Sequence, residues 1–421
     1  MMLINQMKGK LSNRFIRNIG WMGGAELVNR FFRLGTTVTL ARMLHPHEYG
    51  LIAIVVTLFN FADAFMAKSS SKIIQVNEKD LEDLCTTSYW FNWILCSSLF
   101  IIQCIAAFPV ASFYRDSKLI LPICFVALSY LVVPTFAVQA ALIQRENRLN
   151  IIALCTVVQS ICGNVLTIIL ALLGAGIWSV VLPYLLTTPV WILIILKNHS
   201  WRPRVAFNLH RWQEIVWFSI NVISIDLLNK IRANMDYLII GRFLGVSELG
   251  KYFFAFNAGL GISMNVLNII VSSLYPHLCN HRDNLKQLKA QYISSLKAIS
   301  LIVFPLVILQ SSLAHFYVPI IFGQQWVTAV PILVLICLSA LPRPFAEAAN
   351  LLLFTVDKSH IALYWNVIFT VLVGIILLLV VQSGVLWVAA AVLITHAVAL
   401  PIFTLWASRY VFAKSSSNSL T

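Results

Sequence analysis

The chain has 421 residues, 59% of them hydrophobic and 11% charged, with a formal net charge of +14 and a mean hydropathy of +0.84. Soluble domains are about a quarter charged, so a soluble globular enzyme is excluded. Apolar runs of about 20 residues, the length that spans a bilayer as a helix, recur from end to end.

The N-terminal segment 1–17 is basic (Lys8, Lys10, Arg14, Arg17). No short apolar core with a small-residue cleavage site follows it, so the first span is expected to be retained. Twelve spans are predicted, at residues 18–41, 49–72, 84–112, 119–144, 150–173, 177–196, 214–240, 250–275, 291–320, 328–355, 360–382 and 385–408. With the N-terminus placed in the cytoplasm, nineteen Lys and Arg outside the spans fall on the cytoplasmic side and five on the other. The positive-inside rule then puts both termini in the cytoplasm. The excess of basic residues is thereby assigned to membrane topology, and no nucleic-acid partner is expected.

The first copy of an internal repeat lies in spans one and two: Glu26, Asn29, Arg30, Arg42, Leu44, Glu48 and Gly50. It returns 200 positions later as Asp226, Asn229, Lys230, Arg242, Leu244, Glu248 and Gly250. Charge sign is kept at every charged position, inside stretches otherwise mostly apolar, which reads as an internal duplication. Phe113 and Pro122 align with Phe322 and Pro331 at an offset of 209. Hairpins rich in Gly and Trp (Gly174–Trp178 and Gly384–Trp387) close spans five/six and eleven/twelve. The expected architecture is an all-α polytopic membrane protein with two six-helix pseudo-symmetric lobes. The N-lobe covers 18–197, a cytoplasmic linker 198–213, the C-lobe 214–408 and a cytoplasmic tail 409–421. Two similar lobes that both start from the cytoplasm are parallel repeats, related by an axis along the membrane normal.

Charges at mid-membrane depth cost about 2.5–3.5 kcal/mol each on insertion scales, so they face a bundle interior or a wet cavity. In span one, Glu26, Arg30, Arg33 and Thr37 share a helical face. In span seven, Asp226, Lys230, Asn234 and Tyr237 form a comparable one, and Arg232 precedes Asp236 by four residues. Span ten adds Arg343, Glu347 and Asn350 at helical spacing. The candidate anion-binding residues are therefore Arg30, Arg33, Lys230, Arg232 and Arg343, since arginine's forked donors match phosphate or pyrophosphate. Candidate coupling or charge-balancing residues are Glu26, Asp63, Asp226, Asp236 and Glu347, which can carry H⁺ or Na⁺. The competing reading is that an acid–base pair four residues apart merely neutralises itself for insertion. Arg42 and Arg242, beside Glu48 and Glu248 at span ends, read as topology anchors or outer-gate contacts.

No nucleotide-binding, metalloprotease or serine-hydrolase signature is present. Neither a metal nor another cofactor is expected. The eight scattered cysteines contain no CxxC pair and read as small apolar side chains. Gly259 and Gly261 read as a small-residue helix contact, and His396 as an interhelical hydrogen bond.

Several segments carry a family resemblance: Leu40–Gly50, Tyr89–Asn92, Ala141–Glu146, Trp201–Arg204, Asp236–Gly245, Leu274–Pro276 and Phe322–Trp326. In this order and spacing the chain resembles the polysaccharide transporter (PST, Wzx-like) family of the MOP flippase superfamily, close to colanic-acid and teichuronic-acid exporters. The resemblance implies a MATE-like two-lobe transporter with a cationic central cavity in the bacterial cytoplasmic membrane. Its substrate would be an undecaprenyl-pyrophosphate-linked oligosaccharide for O-antigen, capsule or exopolysaccharide synthesis, moved by alternating access. Membrane lipids are implied as partners, as are a polysaccharide polymerase and glycosyltransferases of the same pathway. Two alternatives stand beside it: a cation-coupled exporter of drugs or of the peptidoglycan lipid precursor, and a membrane glycan polymerase or ligase. Drug exporters would favour acidic cavities, and a polymerase would need a sizeable outer loop.

Overall fold

The structure is a computed structural model; it describes residue 29 and residues 32–417 apart from 67–69, 77, 204–206, 208, 210, 261–273 and 283. All regular structure among the described residues is helical, as expected where lipid cannot satisfy backbone polar groups and the helix satisfies them internally. In chain order the helices are α1 (residues 32–43), α2 (Pro46–Met66), α3 (Leu81–Tyr114), α4 (Ile120–Ala127), α5 (Ala137–Arg145), α6 (Leu149–Leu172), α7 (Trp178–Leu186) and α8 (Pro189–Asn198). They continue as α9 (Trp212–Phe243), α10 (Val246–Ala255), α11 (Leu285–Tyr317), α12 (Val330–Leu338), α13 (Arg343–Thr355), α14 (Ser359–Val380) and α15 (Val385–Ser417).

Nine helical segments among the described residues are long and apolar enough to cross a membrane, and they fall at predicted spans two to six and nine to twelve. Of the other three, span seven is the 32-residue helix α9, whose charges lower its hydropathy. Span eight begins as α10 and runs into residues outside those described. Span one is seen from residue 32 as α1, so Glu26 and Arg30 lie outside the described residues.

Spans four, six and ten, expected as single helices, are broken. Span four passes through short 3₁₀ turns at Leu128–Leu131 and Val133–Thr135 before α5. Span ten breaks between α12 and α13 at Leu341-Pro-Arg-Pro344. Proline cannot donate to the helical ladder and clashes with the preceding turn. Span six breaks at Thr187–Thr188 before Pro189. There the two hydroxyls donate to the Pro183 and Tyr184 carbonyls at 2.7 and 2.6 Å.

The chain divides into two compact units: Met1–Leu44 with Leu51–Asn234, and His45–Gly50 with Met235–Thr421. In the first unit the connection after α8 is docked on its own neighbours. Trp201 Nε1 donates to Glu82 at 3.2 Å, and Arg211 reaches Asp80 at 2.9 Å and Glu214 at 2.7 Å. The Glu214 hydrogen bond, and then Asp80, raise the pKa of Arg211 above its ordinary value. Arg148 donates to the Asn198 carbonyl at 3.1 Å, and Arg145 to the carbonyls of Ile73 and Val76. Cations assigned to one membrane side by counting are thus gathered at one end of this unit.

The second unit contains residues 45–50 as well as the C-terminal half. Trp326 is fully buried, stacked on Phe254 with centroids 4.0 Å apart and met edge-on by Tyr49 at 4.9 Å. Here the two copies of the repeat meet. A Cβ on Gly50 would fall 1.9 Å from the Val246 carbonyl oxygen, and one on Gly250 would fall 1.7 Å from that of Pro46. Glycine 50 approaches residue 246 while glycine 250 approaches residue 46, so the contact is reciprocal under the 200-residue offset. The two repeated glutamates sit in the first turns of α2 and α10. Glu48 accepts from the His45 backbone N–H at 3.1 Å, the backbone-capping half of a capping box, and Glu248 pairs with Lys251 at 2.6 Å.

Two further landmarks extend the duplication at an offset of 210. Asn147 and Asp357 both have positive φ, 55° and 58°, directly after α5 and α13. Gly174 and Gly384, with φ of 75° and 107°, open the two Gly–Trp hairpins. Asn, Asp and Gly are the residues that adopt this region at least cost. Gly259 also packs as expected, because a Cβ there would stand 2.7 Å from the Cys337 sulfur.

Gly50→Ala and Gly250→Ala each place a methyl group inside a backbone oxygen's radius. Overpacking typically costs about 1–3 kcal/mol, so each variant is expected to lower the Tm of the purified protein by several degrees. Gly35→Ala, whose Cβ meets nothing nearer than 4.0 Å, is expected to leave it unchanged in the same thermal melt.

Candidate functional site

Charge inside the first unit is concentrated where α9 meets α2. Lys230 Nζ lies 3.0 Å from Asp63 Oδ2 and 3.7 Å from Asp226 Oδ2, and donates to the Asn60 carbonyl at 2.6 Å. The i,i+4 partner visible in the sequence, Asp226, is thus the more distant of the two carboxylates. One ammonium faced by two carboxylates leaves the cluster with a formal charge of −1. Lys230 is expected from sequence to help bind an anion and Asp63 to balance charge; the structure places them in one cluster, with the ammonium already engaged. One turn on, Asn234 donates to the Lys230 carbonyl at 2.8 Å. Its Oδ1 lies at the hydrogen-bond limit, 3.5 Å, from the Thr57 hydroxyl.

The other predicted residues are placed separately. Arg33 is exposed on α1, and the Thr37 hydroxyl donates to its carbonyl at 2.8 Å. Arg232 lies 3.4 Å from Asn229 Oδ1. In the second unit, Asp236 accepts from the Tyr252 hydroxyl at 2.8 Å and from the Tyr237 N–H at 3.0 Å. Arg343 is close enough for its charge to attract that carboxylate. Asn350 Nδ2 lies 3.4 Å from Glu347 Oε2. The His396 ring approaches the Val392 carbonyl of its own helix at 2.7 Å and packs edge-on against Phe369 on α14.

Asp63 also lines a cavity of about 730 Å³ formed wholly within the first unit by α1, α2, the span-four segments, α5, α6, α7 and α8. Its floor is one face of α6: Thr156, Gln159, Ser160, Gly163, Asn164 and Thr167 all line it. These residues recur at intervals of three and four in an otherwise apolar helix, which puts them on one side. This face was legible in the sequence and went unread because its members are uncharged. Asn164 and Ser160 are held in place by Thr36, whose hydroxyl lies 2.7 Å from Asn164 Oδ1, and by the Asn164 amide, 3.0 Å from Ser160 Oγ. Ser160 also bonds to Asn29. Across the cavity Trp191 Nε1 donates to Gln159 Oε1 at 2.6 Å.

A family model described as polysaccharide biosynthesis protein matches residues 39–331. The chain belongs to that family. The chain is 25% identical over 396 residues to an uncharacterized membrane protein in the cps region of Klebsiella pneumoniae, covering 92% of this chain and 81% of that one. It is 24% identical over 369 residues to the lipopolysaccharide biosynthesis protein WzxC of Escherichia coli K12, covering 86% and 74%. Among solved structures it is similar to the lipid II flippase MurJ in an inward closed conformation, with TM-score 0.78, 13% identity and 95% and 90% coverage. It is also similar to an inward-facing multidrug resistance MATE transporter of the MOP superfamily, with TM-score 0.71, 15% identity and 92% and 96% coverage. The chain is a multi-pass membrane protein of the MATE/MurJ-like fold.

Lys230→Met is expected to leave Asp63 and Asp226 facing each other without a counter-ion. Breaking a fully buried pair costs about 3–5 kcal/mol. The Asp63 side chain is 48% exposed, so a smaller loss of about 1 kcal/mol is expected. The double variant Lys230→Met/Asp63→Asn is expected to recover most of it in the same unfolding measurement, as a double-mutant cycle.

Proposed function

We propose that the protein is a flippase that moves an undecaprenyl-pyrophosphate-linked oligosaccharide from the cytoplasmic to the outer leaflet of the bacterial cytoplasmic membrane. The observation that carries this reading is a cavity bearing hydrogen-bonding side chains inside a membrane-spanning unit, beside a fixed ion cluster, in a chain of the polysaccharide biosynthesis family. A lipid-linked glycan has a polar head that cannot cross hydrocarbon unaided and a tail that need not leave it. A transporter for it therefore needs to shelter only the head group.

Physical chemistry divides the head group's needs. The pyrophosphate calls for cations, and Arg33, exposed on α1, is proposed as a contact together with Arg30, Arg232 and Arg343. Lys230 joins them only if the anion competes with Asp63 and Asp226 for its ammonium. Such competition would make substrate binding and release of the carboxylates one event, and the freed acids would be the groups available to take up H⁺ or Na⁺. Transport would then proceed by alternating access, one unit moving against the other while the prenyl chain stays in lipid. Both termini lie in the cytoplasm under this reading, and the pathway's glycosyltransferases and polymerase act before and after the transport step.

Deleting the gene is expected to accumulate lipid-linked oligosaccharide that is protected from membrane-impermeant periodate in intact cells. Wild type is expected to restore accessibility, and Arg33→Ala with Lys230→Ala at normal protein level is not. Rescue by that double variant would remove the cationic residues from the mechanism and leave the flippase. Unpolymerised units already outside in the deletion strain would instead favour a polymerase or ligase.

A further inference from the structure

The cavity of the first unit lies next to the charges but is itself chemically different from them. Among the described residues none of the lining side chains is Lys, Arg or His, and the one carboxylate among them, Asp63, is already bonded to Lys230. Among the described lining residues a pyrophosphate would meet that carboxylate and no guanidinium or ammonium. Fourteen of the twenty-six described lining residues carry a polar group, several of them already bonded within the protein. The remaining lining is apolar and includes the rings of Phe59, Phe136, Tyr184 and Trp191.

Neutral hydrogen-bonding groups interleaved with aromatic rings match a pyranose, which has hydroxyls around its rim and a C–H surface on each face. Directionality is built into the wall. Gln159 uses its carbonyl on Trp191, so its amide NH₂ is presented as a donor. Asp63 uses one oxygen on Lys230, so the other can accept a hydrogen bond from a sugar hydroxyl. The Tyr184 ring packs on Phe59 with centroids 4.6 Å apart, forming an aromatic corner. The fixed networks of Thr36, Asn164 and Ser160 hold the α6 face in one arrangement before any ligand arrives. A volume near 730 Å³ falls in the range of about 300–1,000 Å³ that encloses drug-sized ligands, which for carbohydrate is a short oligosaccharide.

We infer that this cavity is a carbohydrate-binding subsite that takes the uncharged sugar residues of the transported head group, apart from the residues that meet its phosphates. The inference rests on the flippase reading for its ligand's identity, though not for the chemistry of the wall. It also assigns specificity for the glycan to uncharged residues, Gln159 and Tyr184 first among them.

The test uses the full chain in lipid nanodiscs and saturation-transfer NMR. The probes are maltose and N,N′-diacetylchitobiose at millimolar concentration, with farnesyl pyrophosphate as a prenyl probe. Wild type is expected to transfer saturation to the sugar ring protons. Gln159→Leu is expected to weaken that binding about fivefold or more, the effect of one lost hydrogen bond near 1 kcal/mol, with the farnesyl pyrophosphate signal unchanged. Tyr184→Phe preserves ring packing and is expected to act in the same direction, so the question stays decidable if Gln159→Leu fails to fold. No sugar signal in wild type, or equal sugar signals in wild type and both variants, would overturn the inference. Displacement of farnesyl pyrophosphate in the variants would also overturn it and make the cavity a lipid site. The periodate assay reports on the flippase reading independently: normal translocation without sugar binding sinks only the subsite, and sugar binding without translocation sinks only the flippase.

Discussion

A charge in hydrocarbon must be met by another group of the same chain, and Lys230 shows what that requirement builds. Its ammonium is held by Asp63, Asp226 and the Asn60 carbonyl, which ties the middle of α9 to α2. The same tie sets Asp63 at the edge of the cavity. Were Lys230 apolar, two carboxylates would share a small space beside the cavity with no counter-ion, and their repulsion would open the packing that forms its wall. The ion cluster is therefore first a structural element. Any role in substrate binding has to work by competition for bonds already made.

The duplication imposes a second constraint. At Gly50 and Gly250 each copy of the repeat approaches the backbone of the other so closely that no side chain fits. Small residues permit such approach where apolar area gives no driving force for helix association in lipid. The equivalence persists through Asn147 and Asp357 and through Gly174 and Gly384, so the two halves share turn geometry as well as charge pattern. Their side chains have diverged around that common backbone. Glu48 caps a helix whereas Glu248 makes an ion pair, although the two occupy matching positions in the repeat.

Legibility from sequence followed the physics of each signal. Most spans were readable because length and hydropathy suffice to define them, and the repeat because charged residues are rare enough in apolar runs for their register to carry information. Breaks in spans four, six and ten were marked by Pro134, Pro189, Pro342 and Pro344, but apolar length outweighed them in the reading. The Lys230–Asp63 bond joins residues 167 positions apart; helical spacing reveals only neighbours on one helix, so Asp226 reads as the partner of Lys230, and Asp63 carries the same charge-balancing role with no partner named. The cavity was missed for a different reason. Its α6 face was periodic and polar, yet attention to charge passed over Gln, Asn, Ser and Thr, which are the groups a neutral glycan needs. Glu26 and Arg30 lie outside the described residues, so their part in the site stays with the proposal.

Purified protein in proteoliposomes gives the most direct test of the central claim, with a fluorescent-labelled lipid-linked oligosaccharide loaded in both leaflets. The account predicts that a membrane-impermeant quencher added outside reaches nearly all of the label on a timescale of minutes. In protein-free vesicles it would reach only the outer half. Quenching that stops at half in the presence of folded protein, with and without an imposed H⁺ or Na⁺ gradient, would contradict it.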